Sequence, residues 1–254
     1  MTDLKNKTAL VTGASRGIGR AIATRLAADG ARVGVHYAGD EAAAHHTVER
    51  IERAGGTAFP LRADLGEPDG VDTLIAGLEA GLAGRRLDIL VNSAAVPPAG
   101  PIQDDTPNSF DTVFAVNVKA PYFTVQKALP LLNDDGRVIN LTSAVTRIAN
   151  PTQTSFAMAK GALATMTLTL ASQLGVRGIT VNAVAPGVTR TETNTAVIAS
   201  LGPEAQFAAI TALDRLGEAA DVADVVAFLA SGDARWITGQ TIDASGGLYL
   251  GLRG

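Results

Sequence analysis

The chain has 254 residues, 46% of them hydrophobic and 18% charged, with a formal net charge of −4. That length suits a single α/β domain spanning 1–254, one sheet with helices on both faces. Without a basic block there is no electrostatic footprint for nucleic acid, and without cysteine there is no thiol catalysis, disulfide or thiolate metal site, so no metal centre is expected.

Along the chain, short β-branched runs alternate with Ala-rich amphipathic stretches. Strands are predicted at Thr8–Thr12, Arg32–His36, Thr57–Arg62, Leu87–Asn92, Arg137–Thr142, Ile179–Ala183 and Gln240–Asp243. Helices are predicted at Ile18–Ala28, Glu41–Ala54, Val71–Ala80, Phe110–Leu131 and Phe156–Leu174. The strands are continuous apolar runs rather than alternating ones, as strands covered on both faces are. Strand–helix repetition with Gly and Asp at the joints predicts a doubly wound parallel sheet. The polar start lacks the apolar run of a leader, and no segment approaches the roughly 18 apolar residues of a membrane span. A soluble cytoplasmic protein with no membrane partner is therefore expected. Two loops, Ala94–Pro107 and Pro186–Leu213, leave the carboxyl ends of strands, where open α/β sheets bind ligands, and are expected to act as lids.

The first strand runs into Thr12-Gly13-Ala14-Ser15-Arg16-Gly17-Ile18-Gly19 and then a helix. Gly13 permits the tight turn, Gly17 lets the backbone approach a pyrophosphate, and Gly19 lets helix and strand pack closely. The helix then offers free N–H groups and a positive dipole end to phosphates. At the end of the second strand an acid would bind the ribose hydroxyls of NAD. Here the segment reads Val35-His36-Tyr37-Ala38-Gly39, with no acid before Asp40, while Arg16 is placed to meet a 2′-phosphate. NADP(H) is the expected cofactor.

The T-G-x-x-x-G-x-G pattern resembles that of the short-chain dehydrogenase/reductases, and further matches continue along the whole chain. They are Asp64, Asn92-Ser93-Ala94-Ala95, Asn117, Ser143, Lys160, Pro186-Gly187 and the terminal Gly239-Gln240, Asp243 and Gly246-Gly247. The segment Asn150-Pro151-Thr152-Gln153-Thr154 looks most like 3-oxoacyl-acyl-carrier-protein reductases and their secondary-metabolism relatives. The resemblance implies a Rossmann fold of seven parallel strands in the order 3-2-1-4-5-6-7. It implies cofactor contacts from Gly13, Ser15, Arg16, Gly17, Ile18, Gly19, His36, Asp64 and Leu65, with Asp64 on the adenine. It adds Asn92 on the ribose side, Lys160 on the nicotinamide ribose, and Pro186, Gly187, Val188 and Thr191, with Thr191 near the carboxamide. A homodimer or homotetramer is implied, built on the helix from Phe156 and the one starting near Asn108, with Trp236 at a subunit contact.

The family reduces carbonyls with a Tyr that delivers the proton and a Lys four residues later. A Ser polarises the carbonyl and an Asn supports a proton-relay water. Ser143, Lys160 and Asn117 match, but the helix reads Ser155-Phe156-Ala157-Met158-Ala159-Lys160. Phe156 keeps the ring and has no hydroxyl to donate, accept or titrate. Tyr37, Tyr122 and Tyr249 are distant in sequence, and Tyr122 is expected on a buried helix face. Ser155 is expected to point off the catalytic face, leaving Thr154 as the nearest hydroxyl. Three readings stay open: a Tyr→Phe replacement made to trap a complex, a reductase whose substrate needs no protein acid, and a catalytically silent NADP(H)-binding protein. The favoured function is NADP(H)-dependent reduction of a carbonyl or imine on a small or carrier-bound, polyketide-like substrate. A second departure is Ala95, where the family has Gly; its Cβ should disfavour positive φ and narrow the floor beside the cofactor. Adjacent His45 and His46 diverge on a helix and are expected to be solvated.

Overall fold

The computed structural model describes residues 3–97, 100–192, 194, 195, 198 and 204–250. Parts of both predicted lid loops, residues 98–99, 193, 196–197 and 199–203, lie outside the described residues. Seven parallel strands form the main sheet: β1 (Thr8–Val11), β2 (Arg32–Tyr37), β3 (Thr57–Arg62), β4 (Leu87–Asn92), β5 (Leu132–Leu141), β6 (Thr180–Pro186) and β7 (Thr241–Ala244). Their order is β3-β2-β1-β4-β5-β6-β7, as the resemblance implies. The connection reverses direction between β1 and β4, so the carboxyl ends of those two strands splay their loops apart and open a crevice.

The strands read as unbroken apolar runs because alternate residues feed two different cores. Val11, Val33, Val35, Ile89, Val91 and Ile139 pack on one face, against Ile22 and Leu26 of α1 (Gly17–Ala28), Val48 and Ile51 of α2 (Glu41–Arg53) and Val226 of a C-terminal helix, Ala219–Ala230. Leu10, Leu61, Leu90, Val138 and Val181 face the other way. They meet Leu74 and Leu78 of α3 (Gly70–Leu82) and Leu174 of α6 (Thr154–Leu174). Each fully buried Leu or Ile contributes roughly 1.5–3 kcal/mol relative to exposure.

The helix predicted over Phe110–Leu131 is in fact two. α4 (Pro107–Phe114) starts on a Thr106–Ser109 capping box with Pro at its first position, and α5 (Ala120–Ala128) follows after a π-helical turn at Ala115–Lys119. The π turn lies where Asn117 engages a neighbouring loop, and one extra residue in the helical ladder swings that side chain toward it. Leu132 begins β5 five residues before the predicted start, because Leu132 pairs with Leu87 ahead of a register shift in β4. β6 runs on to Pro186 because its last residues pair with β7. A proline at a strand's end loses no ladder hydrogen bond. Among the described residues no helix is long and apolar enough to cross a membrane.

Candidate active site

The crevice between the β1 and β4 loops holds a cavity of about 420 Å³. Gly13, Ser15, Arg16, Gly17, Ile18 and Gly19 form one wall. Across it stand Asp64 and Leu65, and Ala94, Ala95 and Thr191 close the inner end. That volume falls within the range of ordinary ligand sites. The loop has room for a ligand because it has none for side chains. A Cβ on Gly19 would lie 2.1 Å from the Gly13 carbonyl oxygen, and one on Gly13, at φ +65°, would lie 2.8 Å from the Ala94 Cα. Gly17 also has positive φ, +57°, but a Cβ there would meet Thr191 only at 3.5 Å. Gly19 and Gly13 are therefore required by packing, and Gly17 by its backbone conformation and by what must approach it.

Arg16 caps α1 without a side-chain cap bond, and the first turn holds no acid, so the helix opens onto the cavity as an uncompensated positive end. The Arg16 side chain is exposed on the rim and makes no ion pair among the described residues. Arg20, one turn later, is fully engaged. Its Nε and Nη2 donate to the Ser15 carbonyl at 2.9 and 2.6 Å, and its Nη1 reaches Glu192 at 2.6 Å, tying the glycine loop to the segment after β6.

His36 stands at the end of β2 as a strut. The Gly13 N–H donates to its Nδ1 at 3.0 Å, which leaves the proton on Nε2 to donate to the Ala63 carbonyl at 3.0 Å. Burial pushes its pKa down to about 4, so the ring is neutral at ordinary pH. Thr12 does the matching work on the other side, its hydroxyl accepting from the N–H groups of Ser93 and Ala94 at 2.9 and 3.0 Å. The sequence motif alone assigns Thr12 no role; its place at the strand end, ahead of the first Gly, is the signal for one. Asn92 turns away from the crevice into a buried chain of side chains. Its amide donates to Asn140 at 2.9 Å, and Asn140 donates to Thr167 at 2.9 Å. Two Asn residues paired in register on β4 and β5 were the signal for that link. Ala95 lines the cavity without positive φ, so its Cβ brings no backbone strain.

Ser143 leaves the end of β5 and starts the turn Ala144–Thr146, its hydroxyl accepting from the Val145 N–H at 3.4 Å. Lys160 on α6 comes to the same strand end, its Nζ donating to the Leu141 carbonyl at 2.7 Å. Burial pushes its pKa down to about 8, which still leaves it charged at neutral pH. The Nζ lies 5.4 Å from the centre of the Phe156 ring, so Phe156 and Lys160 do share one face of α6. Asn117 clamps Val96 through both atoms of its amide, at 2.9 and 3.0 Å, which fixes the loop after β4. Ser155 is buried and points to Asp105, whose carboxyl the hydroxyls of Ser109 and Ser155 hold below its usual range. Thr154 is exposed at the start of the helix.

Beyond β6, buried Pro186 pairs with Ala244, and Gly187 packs so closely that a Cβ would lie 2.8 Å from that of Ser245. The Val188 carbonyl accepts from the Gly217 N–H at 2.9 Å. Tyr122 departs from expectation. It is 50% exposed, edge-on to Phe123, because α5 turns that face away from the sheet. His45 and His46 are exposed, as expected of a solvated face, and no metal-ligating cluster occurs among the described residues.

A glycine loop at the β1 end, the β1/β4 switch point and a Ser and Lys gathered at the β5 end define an oxidoreductase of the dinucleotide-binding class. A family model described as enoyl-(acyl carrier protein) reductase matches residues 13–249, and the chain belongs to that family, the short-chain dehydrogenase/reductases. The chain is 40% identical to the 3-oxoacyl-[acyl-carrier-protein] reductase of Staphylococcus epidermidis over 96% of its own length and 100% of the relative's. Among solved structures it is similar to LugOII, a promiscuous reductase that catalyses keto-reduction at C1 during lugdunomycin biosynthesis. That likeness has a TM-score of 0.94 and 52% identity, covering 98% of this chain and 100% of that one. It is also similar to the angucycline C-6 ketoreductase LanV with bound NADP, at a TM-score of 0.93 and 51% identity over 98% of both chains.

Proposed function

We propose that this chain is an NADPH-dependent ketone reductase acting on a polyketide-type substrate, and that Phe156 occupies the position of the family's proton-donating Tyr. The observation that carries the reading is the convergence of Ser143 and Lys160 on the end of β5, beside a crevice whose wall excludes side chains. Bound in that crevice, NADPH would supply the hydride. Gly13, Gly17 and Gly19 would pass its pyrophosphate, Arg16 its 2′-phosphate, and Asp64 and Leu65 its adenine side. Lys160 would take the nicotinamide ribose and Thr191 the carboxamide, while Ser143 would donate a hydrogen bond to the substrate carbonyl. Asn117 acts by holding Val96 in place. The NADP-bound ketoreductase among the similar structures supports both the cofactor and the polyketide-type substrate. Retention of Ser143 and Lys160 favours turnover over silent binding.

The chain works as one unit in a homodimer or homotetramer. An apolar groove of about 740 Å³ between α4–α5 and α6, lined by Phe114, Val118, Tyr122, Phe123, Leu163 and Met166, supplies a face for a second copy. Trp236, 96% exposed, supplies a further one.

Calorimetry with the purified protein tests the cofactor assignment. NADPH should bind at least about tenfold tighter than NADH, since a charge-assisted phosphate contact adds about 1.5–3 kcal/mol. Arg16→Ala should erase most of that gap. Equal affinities in the unaltered protein contradict the assignment.

A further inference from the structure

Adding hydride to a ketone leaves negative charge on oxygen, and a proton has to meet it. The side chains gathered at the end of β5 offer few protons. Position 156 presents hydrocarbon, and the Asn117 amide is committed at both atoms to Val96. Ser155 is buried and turned to Asp105. Ser143 carries a neutral hydroxyl, which can share a hydrogen bond but is far too weak an acid to give up its proton at neutral pH. Lys160 is fixed on the Leu141 carbonyl with the Phe156 ring beside it. Among the described residues, a carbonyl bound there meets the Ser143 hydroxyl and the buried Lys160 ammonium, which is held on the Leu141 carbonyl, and no tyrosine or protonated carboxyl group.

Resting on the reductase reading above, we infer that the substrate is a ketone that carries its own acid, a phenolic hydroxyl hydrogen-bonded to the reacting carbonyl. Hydride, with its two electrons, passes from the dihydronicotinamide to the carbonyl carbon, and the π pair of the C=O bond moves to oxygen. The phenolic O–H bond breaks and its proton forms the new O–H bond of the alcohol. The ketone is reduced, NADPH is oxidised to NADP⁺, and the phenolate regains a proton from water. Lys160 favours this course because a buried positive charge stabilises the phenolate left behind. The same charge argues against a cationic imine, which would also need no acid, because two like charges in a water-poor site repel. Phe156 gives such a substrate an apolar wall suited to a flat aromatic ring.

The test uses two probes with the full-length protein and NADPH: a bicyclic aryl ketone with a hydroxyl peri to its carbonyl, and the methyl ether of the same compound. Calorimetry on the NADP⁺-loaded protein should show the two binding within about threefold of each other. The hydroxy ketone should nevertheless turn over with a kcat at least about a hundredfold above the ether's. In Phe156→Tyr the ether should gain and the ratio should fall below about tenfold. Equal kcat values for both probes in the unaltered protein overturn the inference, as does failure of either protein to bind the hydroxy ketone. If Phe156→Tyr reduces both probes and the unaltered protein neither, the reductase reading survives and the substrate-borne acid does not. If both proteins bind the probes and neither oxidises NADPH, the reductase reading itself has failed.

Discussion

The two halves of the crevice are specified in different ways. The β1 side is written in backbone: Gly13 and Gly17 at positive φ, Gly19 with no room for a Cβ, and Thr12 and His36 holding main-chain N–H groups. The β5 side is written in the ends of side chains: the Ser143 hydroxyl, the Lys160 ammonium and the hydrocarbon edge of Phe156. A backbone-defined half tolerates no added Cβ, whereas a side-chain-defined half can lose a functional group and keep its packing. On the proposed reading, Phe156 fills the volume of the family's Tyr ring, so the helix keeps its packing while the chemistry changes.

The largest effect should come from the first half. Gly19→Val would drive a branched side chain into the Gly13 carbonyl, 2.1 Å from the first added carbon. NADPH affinity measured by calorimetry should fall by more than about a hundredfold, since loop and helix can no longer share their seam. Ordinary affinity would show that the dinucleotide sits elsewhere.

Two buried bases should separate the halves by pH. Lys160, ordinarily near 10.5, is lowered to about 8, so the folded state binds fewer protons than the unfolded one between those values. Its burial therefore costs up to about 3 kcal/mol below pH 8, a cost that fades as pH rises toward 10.5. Lys160→Met should raise the Tm of the cofactor-free protein at pH 7 and flatten this rise. His36, lowered from 6.5 to about 4, acts in a lower window. Stability is full above pH 6.5 and should fall by up to about 3 kcal/mol as pH drops toward 4, because only the unfolded chain readily takes the proton. His36→Gln should flatten that acid limb. Thermal melts across pH check both, and a Lys160→Met protein less stable than the original at pH 7 would contradict the first.

Much of the molecule was legible in the sequence. The two covered faces of the sheet and the glycine wall follow from apolar runs and from glycines at fixed offsets, which are local properties of the chain. The strand order came from the family resemblance. The break between α4 and α5 was not, since a π turn depends on where Asn117 must point and Phe110–Leu131 is helical in pattern throughout. Tyr122 was misplaced for a related reason: the pattern of α5 does not say which of its faces meets the sheet. Asn92 illustrates a third limit. Its hydrogen-bond partner Asn140 is 48 residues away, and only the register of β4 on β5 joins them. His36 was expected as a cofactor contact; it lines the cavity, and its bond to the Gly13 N–H, which the sequence did not announce, also braces the glycine loop.

The central claim is that the reductase site is complete except for an acid, and Phe156→Tyr tests it most directly. The variant and the unaltered protein should be compared in NADPH oxidation with a simple β-ketoester at neutral pH. A positioned general acid typically adds about 10²–10⁴-fold, so even an imperfectly seated Tyr hydroxyl should raise the rate by about tenfold or more. A variant that binds NADPH normally and gains nothing, or an unaltered protein that already reduces the ester as fast, would contradict the claim.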